Sequence, residues 1–439
     1  MTLPYEWVYD KLKFVVEEKR FTFTPCDVTI FPVKGGGRMR QLWEDIKYTP
    51  YVSEVLNFFR KGDLVLLFLC LLTSGFGCLV VASATNHNGT LRYVVIQAVA
   101  VVLGAVAYVL VSAVSADFMA EHRMALVVFN TFMLLLLLTP FGEDYNSGNR
   151  SWLVLPLMPM AIQPAEFCKI TYVIIMASVL NARQNNNSSL KAVGHMLWHL
   201  CMVAGLNVVV SRDVGVSLIF IFMFAMMAMT AGVHWGWFAL AGGLIAVAAP
   251  IVWFANLVPN YMKERIISLF DHSIDPDGLD PRYQIVRSLL SLNGGGLTGQ
   301  GLFNGNRTQI GALPAQHTDF VFSAIGEELG FLGCMLTMTL LLLIIVRCIW
   351  VGMKSKDFLR RMICFGVAAT LIFQCVMNLG MNVEMLPIIG LTLPFISYGG
   401  SSIVSLFAMM GLVSGVHARP EPRQHERYVQ PPLALTRWY

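Results

Sequence analysis

The chain has 439 residues, 56% of them hydrophobic and only 13% charged, and a mean hydropathy of +0.62. A soluble protein carries about a quarter charged residues, so composition excludes a water-soluble globular fold and indicates a polytopic membrane protein. A net charge of +4 speaks against a nucleic-acid partner, and nine cysteines without a CxxC pair support neither a disulfide framework nor a zinc site.

Residues 1–62 hold no apolar run long enough to span a membrane. The first such run starts at Leu64, so no cleavable leader is expected. Within this extension, KFVVEEKRFTFTPCDVTIFPV alternates as a small hairpin would, and RQLWEDIKYTPYVSEVLNFFRKGD is patterned as an interrupted surface helix. A solvated cytoplasmic lead-in accounts for both, and Met39 is an alternative start.

Each crossing takes roughly 20 apolar residues. About ten helices are expected, at 64–85, 92–114, 123–140, 165–182, 193–210, 214–232, 234–257, 328–350, 360–382 and 394–417. The fold class is therefore an all-α integral membrane domain over 63–418, with a cytoplasmic tail at 419–439. An even number of crossings puts both termini on one side. The basic residues before the first helix, and Lys354, Lys356, Arg360 and Arg361 after the eighth, make that side cytoplasmic.

The loop between helices seven and eight, about 258–327, is then extracytoplasmic. It carries most of a polar island from Lys263 to Gly330. Ionisable residues held at a membrane are costly, which makes this island the first place to look for chemistry. Its NGGGLTGQGLFNG run has glycine spacings like a dinucleotide loop, but no βαβ unit surrounds it, so nucleotide binding is not expected.

Several motifs in order resemble the SEDS family (shape, elongation, division and sporulation; the RodA/FtsW/SpoVE type). They are Arg150 and Trp152 followed by Gln163-Pro164-Ala165-Glu166-Phe167-Cys168-Lys169, then Asp275-Pro276-Asp277-Gly278 with Tyr283-Gln284. Gly295 to Gly301, His317 to Phe322, Glu327 to Gly330, and GLTLPFISYGGSS from Gly390 to Ser402 complete the set.

The resemblance implies a glycosyltransferase that polymerises lipid II, the undecaprenyl-diphosphate-linked disaccharide peptide, with a class B penicillin-binding protein as partner. A carboxylate would take the acceptor hydroxyl's proton, and positive charge would stabilise the departing diphosphate. The family's catalytic aspartate falls on Asp275. The spacing to the tyrosine departs from the family pattern through Leu279-Asp280-Pro281-Arg282, so Asp280 and Asp277 remain alternatives, in that order.

Candidate substrate-binding residues are Arg150, Trp152, Glu166, Lys169, Asp213, His317, Asp319, Ser397 and Ser401. Glu166 and Lys169, three apart on a helix, serve equally well as a structural ion pair. Glu327 and Glu328 suit either the N-terminal dipole of the eighth helix or, with His317 and Asp319, a divalent cation such as Mg²⁺ or Mn²⁺, without a spacing that defines a site. Arg212 and Glu384 stand where proline and glycine are usual, and Glu384 is expected to face a cavity or pair with a cation. A lipid II transporter and a non-catalytic scaffold are the alternative functions.

Overall fold

The computed structural model describes Phe58 and residues 60–143, 149–155, 160–255, 259–271, 275 and 282–421. The chain divides into Met1–Ser53 and Glu54–Tyr439, and all described residues lie in the second unit. The expected hairpin, most of the amphipathic segment, Asp277, Asp280 and all but three residues of the tail lie outside the described residues.

Helices dominate. They are α1 (Leu64–Ala84), α2 (Arg92–Ala113), the short α3 (Ala116–Glu121), α4 (Arg123–Leu138, ending in a 3₁₀ turn), α5 (Pro164–Asn181) and α6 (Leu190–Ser211, with a π turn at Cys201–Gly205). After these come α7 (Val214–Thr230), α8 (Trp235–Phe254), α9 (Asn260–Ile267), α10 (Tyr283–Gly295), α11 (Val321–Lys354), α12 (Phe358–Asn382) and α13 (Gly400–Ala418).

Seven of these are long and apolar enough to cross a membrane: α1, α2, α6, α8, α11, α12 and α13. The shorter α4 and α7 are also apolar, and α5 is an 18-residue helix. Every expected segment thus coincides with a helix, and among the described residues seven of these helices meet the length and composition of a crossing. Among the described residues one small sheet pairs β1 (Gly142–Glu143) with β2 (Trp152–Leu153) in antiparallel register.

Two expected boundaries differ. α11 begins at Val321 rather than 328, because it absorbs the end of the polar island and then breaks at Gly330 (φ 68°, ψ −162°) before continuing. Only glycine holds that conformation readily. The last helix begins at Gly400 rather than 394, since residues 391–399 form an irregular re-entrant segment around Pro394 and Phe395. Such backbone is tolerated at membrane depth only against protein or a cavity.

α12 is central, packing against α11, α7, α5 and α13. α2 and α13 lie closest together: a Cβ on Gly411 would stand 2.6 Å from the Tyr108 carbonyl, and one on Gly104 2.7 Å from Phe407. Small residues permit this approach where helices must pack without a hydrophobic driving force. By contrast, α8 has no buried residue and presents apolar side chains outward on all sides.

Ionic staples hold the end of the bundle where α11 leads into α12. Asp63 caps α1 and accepts from Arg347 Nε at 2.9 Å and Nη2 at 3.0 Å. Arg360, assigned above to a basic loop, is buried and pairs with Asp117 and Asp357.

The polar island is itself ordered by close backbone contact. Gln300 N and Gly301 N donate to the carbonyls of Glu327 and Glu328, and Phe331 N donates to Gly296 O. A Cβ on Gly295 would lie 1.8 Å from Gly326 O, and one on Gly299 2.1 Å from Glu328 O. The glycines therefore serve loop-to-helix packing.

Candidate active site

At the other end of the bundle, the starts of α2, α5, α7 and α13, Gln374 of α12, the segment Ile389 to Thr392 and the approach to α11 surround a cavity of about 650 Å³. Its polar lining includes Arg92, Ser151, Glu166, Asp213, His317 and Asp319, and its aromatic lining includes Tyr93, Trp152 and Tyr398.

Local sequence explains how each carboxylate arrives there. Gln163-Pro164 starts α5, with proline at the first helical positions, and so places Glu166 in the first turn. Its Oε1 lies 2.8 Å from Lys169 Nζ, and its Oε2 accepts from Ser405 Oγ at 2.7 Å. Lys169 is fully buried beneath it and does not line the cavity. The i,i+3 pair is thus formed, with the acid facing the cavity and the base behind it.

Asp213 caps α7: Oδ1 accepts from Val216 N at 3.0 Å. Its Oδ2 accepts from Ser151 Oγ at 3.2 Å and Gln163 Nε2 at 3.4 Å. Burial raises its pKa above the usual carboxylate range, partly opposed by the Val216 and Ser151 hydrogen bonds. The preceding Arg212 has φ 57° as the C-cap of α6, which proline's fixed φ could not reach. Its side chain is exposed and lies outside the cavity lining.

Asp319 is held by its main chain. Its carbonyl accepts from Asn378 Nδ2 at 2.9 Å and Asn382 Nδ2 at 3.1 Å. Its carboxylate lines the cavity and accepts no hydrogen bond among the described residues. Burial pushes its pKa up to about 6, and the charge of Asp213 pushes the same way. Burial likewise lowers the pKa of His317, which stacks near Tyr93 and Tyr398 at 5.1 and 5.7 Å between ring centroids.

Other expected site residues sit elsewhere. Arg150 donates to the carbonyls of Gly142 and Thr139, which ties down the β1 turn. Ser397 Oγ accepts from Leu393 N and donates to Thr318 O, and Ser401 Oγ accepts from Gln163 N. All three lie outside the cavity lining, as does Asp275. Asp275 is buried, and its Oδ2 accepts from Arg282 N at 3.1 Å. Glu384 pairs with Arg282 at 2.7 Å, the cation expected for it.

Arg92, Tyr93 and Tyr398 were not anticipated. Arg92 is exposed at the cavity and has no ion-pair partner among the described residues. A lone basic residue after the polar NHNGT turn was its only signal in the sequence.

Glu327 and Glu328 do not serve the helix dipole. Glu327 Oε1 accepts from Arg307 N at 2.7 Å, and Oε2 from Thr308 N at 3.1 Å and Thr308 Oγ1 at 2.7 Å. Glu328 accepts from Gln309 Nε2 at 2.8 Å. Among the described residues, no three His, Cys, Asp or Glu side chains are grouped to hold a metal ion.

Residues 63–421 match the family model of the FtsW/RodA/SpoVE cell cycle proteins. The chain belongs to that family. The peptidoglycan glycosyltransferase MrdB of Escherichia coli (strain K12) is 32% identical over 285 residues, which is 65% of this chain and 75% of MrdB. The probable peptidoglycan glycosyltransferase FtsW of Geobacter metallireducens is 28% identical over 372 residues, 83% of this chain and 96% of FtsW.

Among solved structures, a chain of a peptidoglycan synthase complex that coordinates polymerization and crosslinking is similar with a TM-score of 0.67 and 28% identity. It covers 81% of this chain and 97% of that one. The rod shape determining protein RodA of Thermus thermophilus is similar with a TM-score of 0.60 and 27% identity, covering 81% and 96%.

Proposed function

We propose that this chain joins lipid II units into glycan strands at the outer face of the cytoplasmic membrane, beside a class B penicillin-binding protein that crosslinks them. Family membership makes it a peptidoglycan glycosyltransferase and a multi-pass bacterial membrane protein. The observation that supports the finer reading is the cavity, where a carboxylate without a hydrogen-bond donor and an arginine without an ion-pair partner, among the described residues, line the same space at one end of the helical bundle.

In the proposed reaction the acceptor's GlcNAc 4-hydroxyl attacks the anomeric carbon of the donor's MurNAc. The bond to the diphosphate breaks with its electron pair, and undecaprenyl diphosphate leaves with inversion. The hydroxyl proton passes to a carboxylate, for which Asp275 is the family-derived choice. Arg92 supplies positive charge for the diphosphate, while Tyr93, Trp152 and Tyr398 offer aromatic faces to the sugars. Asp319 and Asp213 are hydrogen-bond acceptors for sugar hydroxyls. Both termini lie in the cytoplasm in this arrangement.

The test is polymerisation of purified lipid II by the chain with its partner present. Asp275→Ala is expected to lower the rate by about 10²–10⁴-fold, the usual contribution of a general base, while folding and partner binding persist. Normal polymerisation by Asp275→Ala would remove it as the base, and Asp280→Ala, Asp277→Ala and Asp319→Ala assayed alongside identify which carboxylate takes its place. Movement of labelled lipid II across vesicles without polymer would favour the transporter instead.

A further inference from the structure

Glu384 occupies the turn that ends α12, and its backbone is left-handed at φ 60°. A residue with a Cβ is strained there, and such strain persists only where surrounding contacts hold it. The contact is visible: Arg282 donates to Glu384 Oε1 from Nη2 at 2.7 Å and from Nε at 3.2 Å. Arg282 is the residue before α10, and its backbone N–H is the donor to Asp275 Oδ2. One residue thus grips the end of α12 with its side chain and the aspartate with its main chain.

The same end of α12 holds the main chain of Asp319. Asn378 and Asn382, in its last two turns, bind the Asp319 carbonyl. Ser288 on α10 donates to Asn382 O at 2.7 Å, so α10 is fixed to this platform at a second point. Beyond Glu384 the chain runs directly into Ile389 to Thr392, which line the cavity.

We propose that Glu384 is a positioning residue for catalysis, fixing Asp275 to the end of α12 through Arg282. This rests on the reading of Asp275 as the base. The pair is largely buried, its side chains 11% and 16% exposed, so each partner holds the other firmly in place. The left-handed backbone of Glu384 and this pair together fix Arg282, whose N–H in turn fixes the Asp275 carboxylate. The clamp acts on the rate of the chemical step and leaves substrate binding alone.

The discriminating variant is Glu384→Gly, which relieves the backbone strain while removing the clamp. With lipid II and the partner present, and at a temperature where the variant is fully folded, kcat is expected to fall roughly tenfold, as loss of catalytic-group alignment would do, with KM unchanged. Arg282→Gln should match it, and the exchanged pair Arg282→Glu with Glu384→Arg should recover most of the lost kcat. A kcat of Glu384→Gly within twofold of wild type, a loss that follows a fall in Tm, or no recovery in the exchanged pair would overturn the clamp. Asp275→Asn separates the two readings: its normal turnover sinks the base assignment, whereas its inactivity beside an active Glu384→Gly sinks the clamp alone.

Discussion

Glu327 and Asp319 lie eight residues apart on one continuous stretch, yet the protein treats their carboxylates in opposite ways. Glu327 is fully buried and receives three hydrogen bonds, two from backbone N–H groups of the glycine-rich loop. Asp319 lines a cavity and its carboxylate receives none among the described residues. Both belong to recognisable motifs, and the motifs do not tell them apart. Saturation by the chain's own donors marks a structural acid, and a carboxylate left open in a cavity marks one available to a substrate.

The largest effect is expected from Glu327→Ala. It orphans three donors at about 1 kcal/mol or more each, so Tm and polymerisation should collapse together. A stable, active Glu327→Ala would erase the contrast. Next is Asp319→Ala, for which the rate should fall by roughly 10–100-fold, the equivalent of one charged hydrogen bond to substrate, with Tm not lowered. Unfolding of that variant would place Asp319 with the structural acids.

A smaller effect sharpens the same comparison through pH. In the folded protein Asp319 stays protonated up to about pH 6, and in the unfolded chain only to about pH 4. Folding therefore binds a proton in that window, and stability from this group is lost as pH rises through it. Asn carries no such slope, so the Tm of Asp319→Asn should equal that of wild type near pH 4 and exceed it above pH 6. Equal Tm values at pH 7.5 would show that the Asp319 carboxylate finds a donor in solution. Smallest is Thr308→Val, which removes one of Glu327's three donors and should cost about 1 kcal/mol in thermal unfolding without changing KM.

The helices were legible because lipid demands long apolar runs, and hydropathy reports that demand directly. Their ends were less so. Val321 to Gly330 reads as polar loop, but its polar groups are answered by the glycine-rich segment, so the helix starts earlier than composition suggests. Trp152, Glu166, Asp213, His317 and Asp319 do line the cavity. Arg150, Ser397 and Ser401 carry the same motif signal but hold backbone, a distinction made only by tertiary hydrogen bonds. Arg92 escaped notice because a single charge at a helix start has no pattern to read. The pairing of Glu384 with Arg282 joins residues 102 positions apart, beyond the reach of local spacing.

The close contact of α2 with α13 has a mechanical consequence. Both helices begin at the cavity, and Gln97 on α2 bonds to Ser397 O and Gly399 N just before α13. Gly104 and Gly411 leave no room for a larger side chain between them, and Tyr93 and Tyr398 meet edge to face at 5.1 Å across the same seam. That seam of the cavity is therefore closed by steric fit, whereas at Asp213 the wall is held by hydrogen bonds from Ser151 and Gln163 side chains.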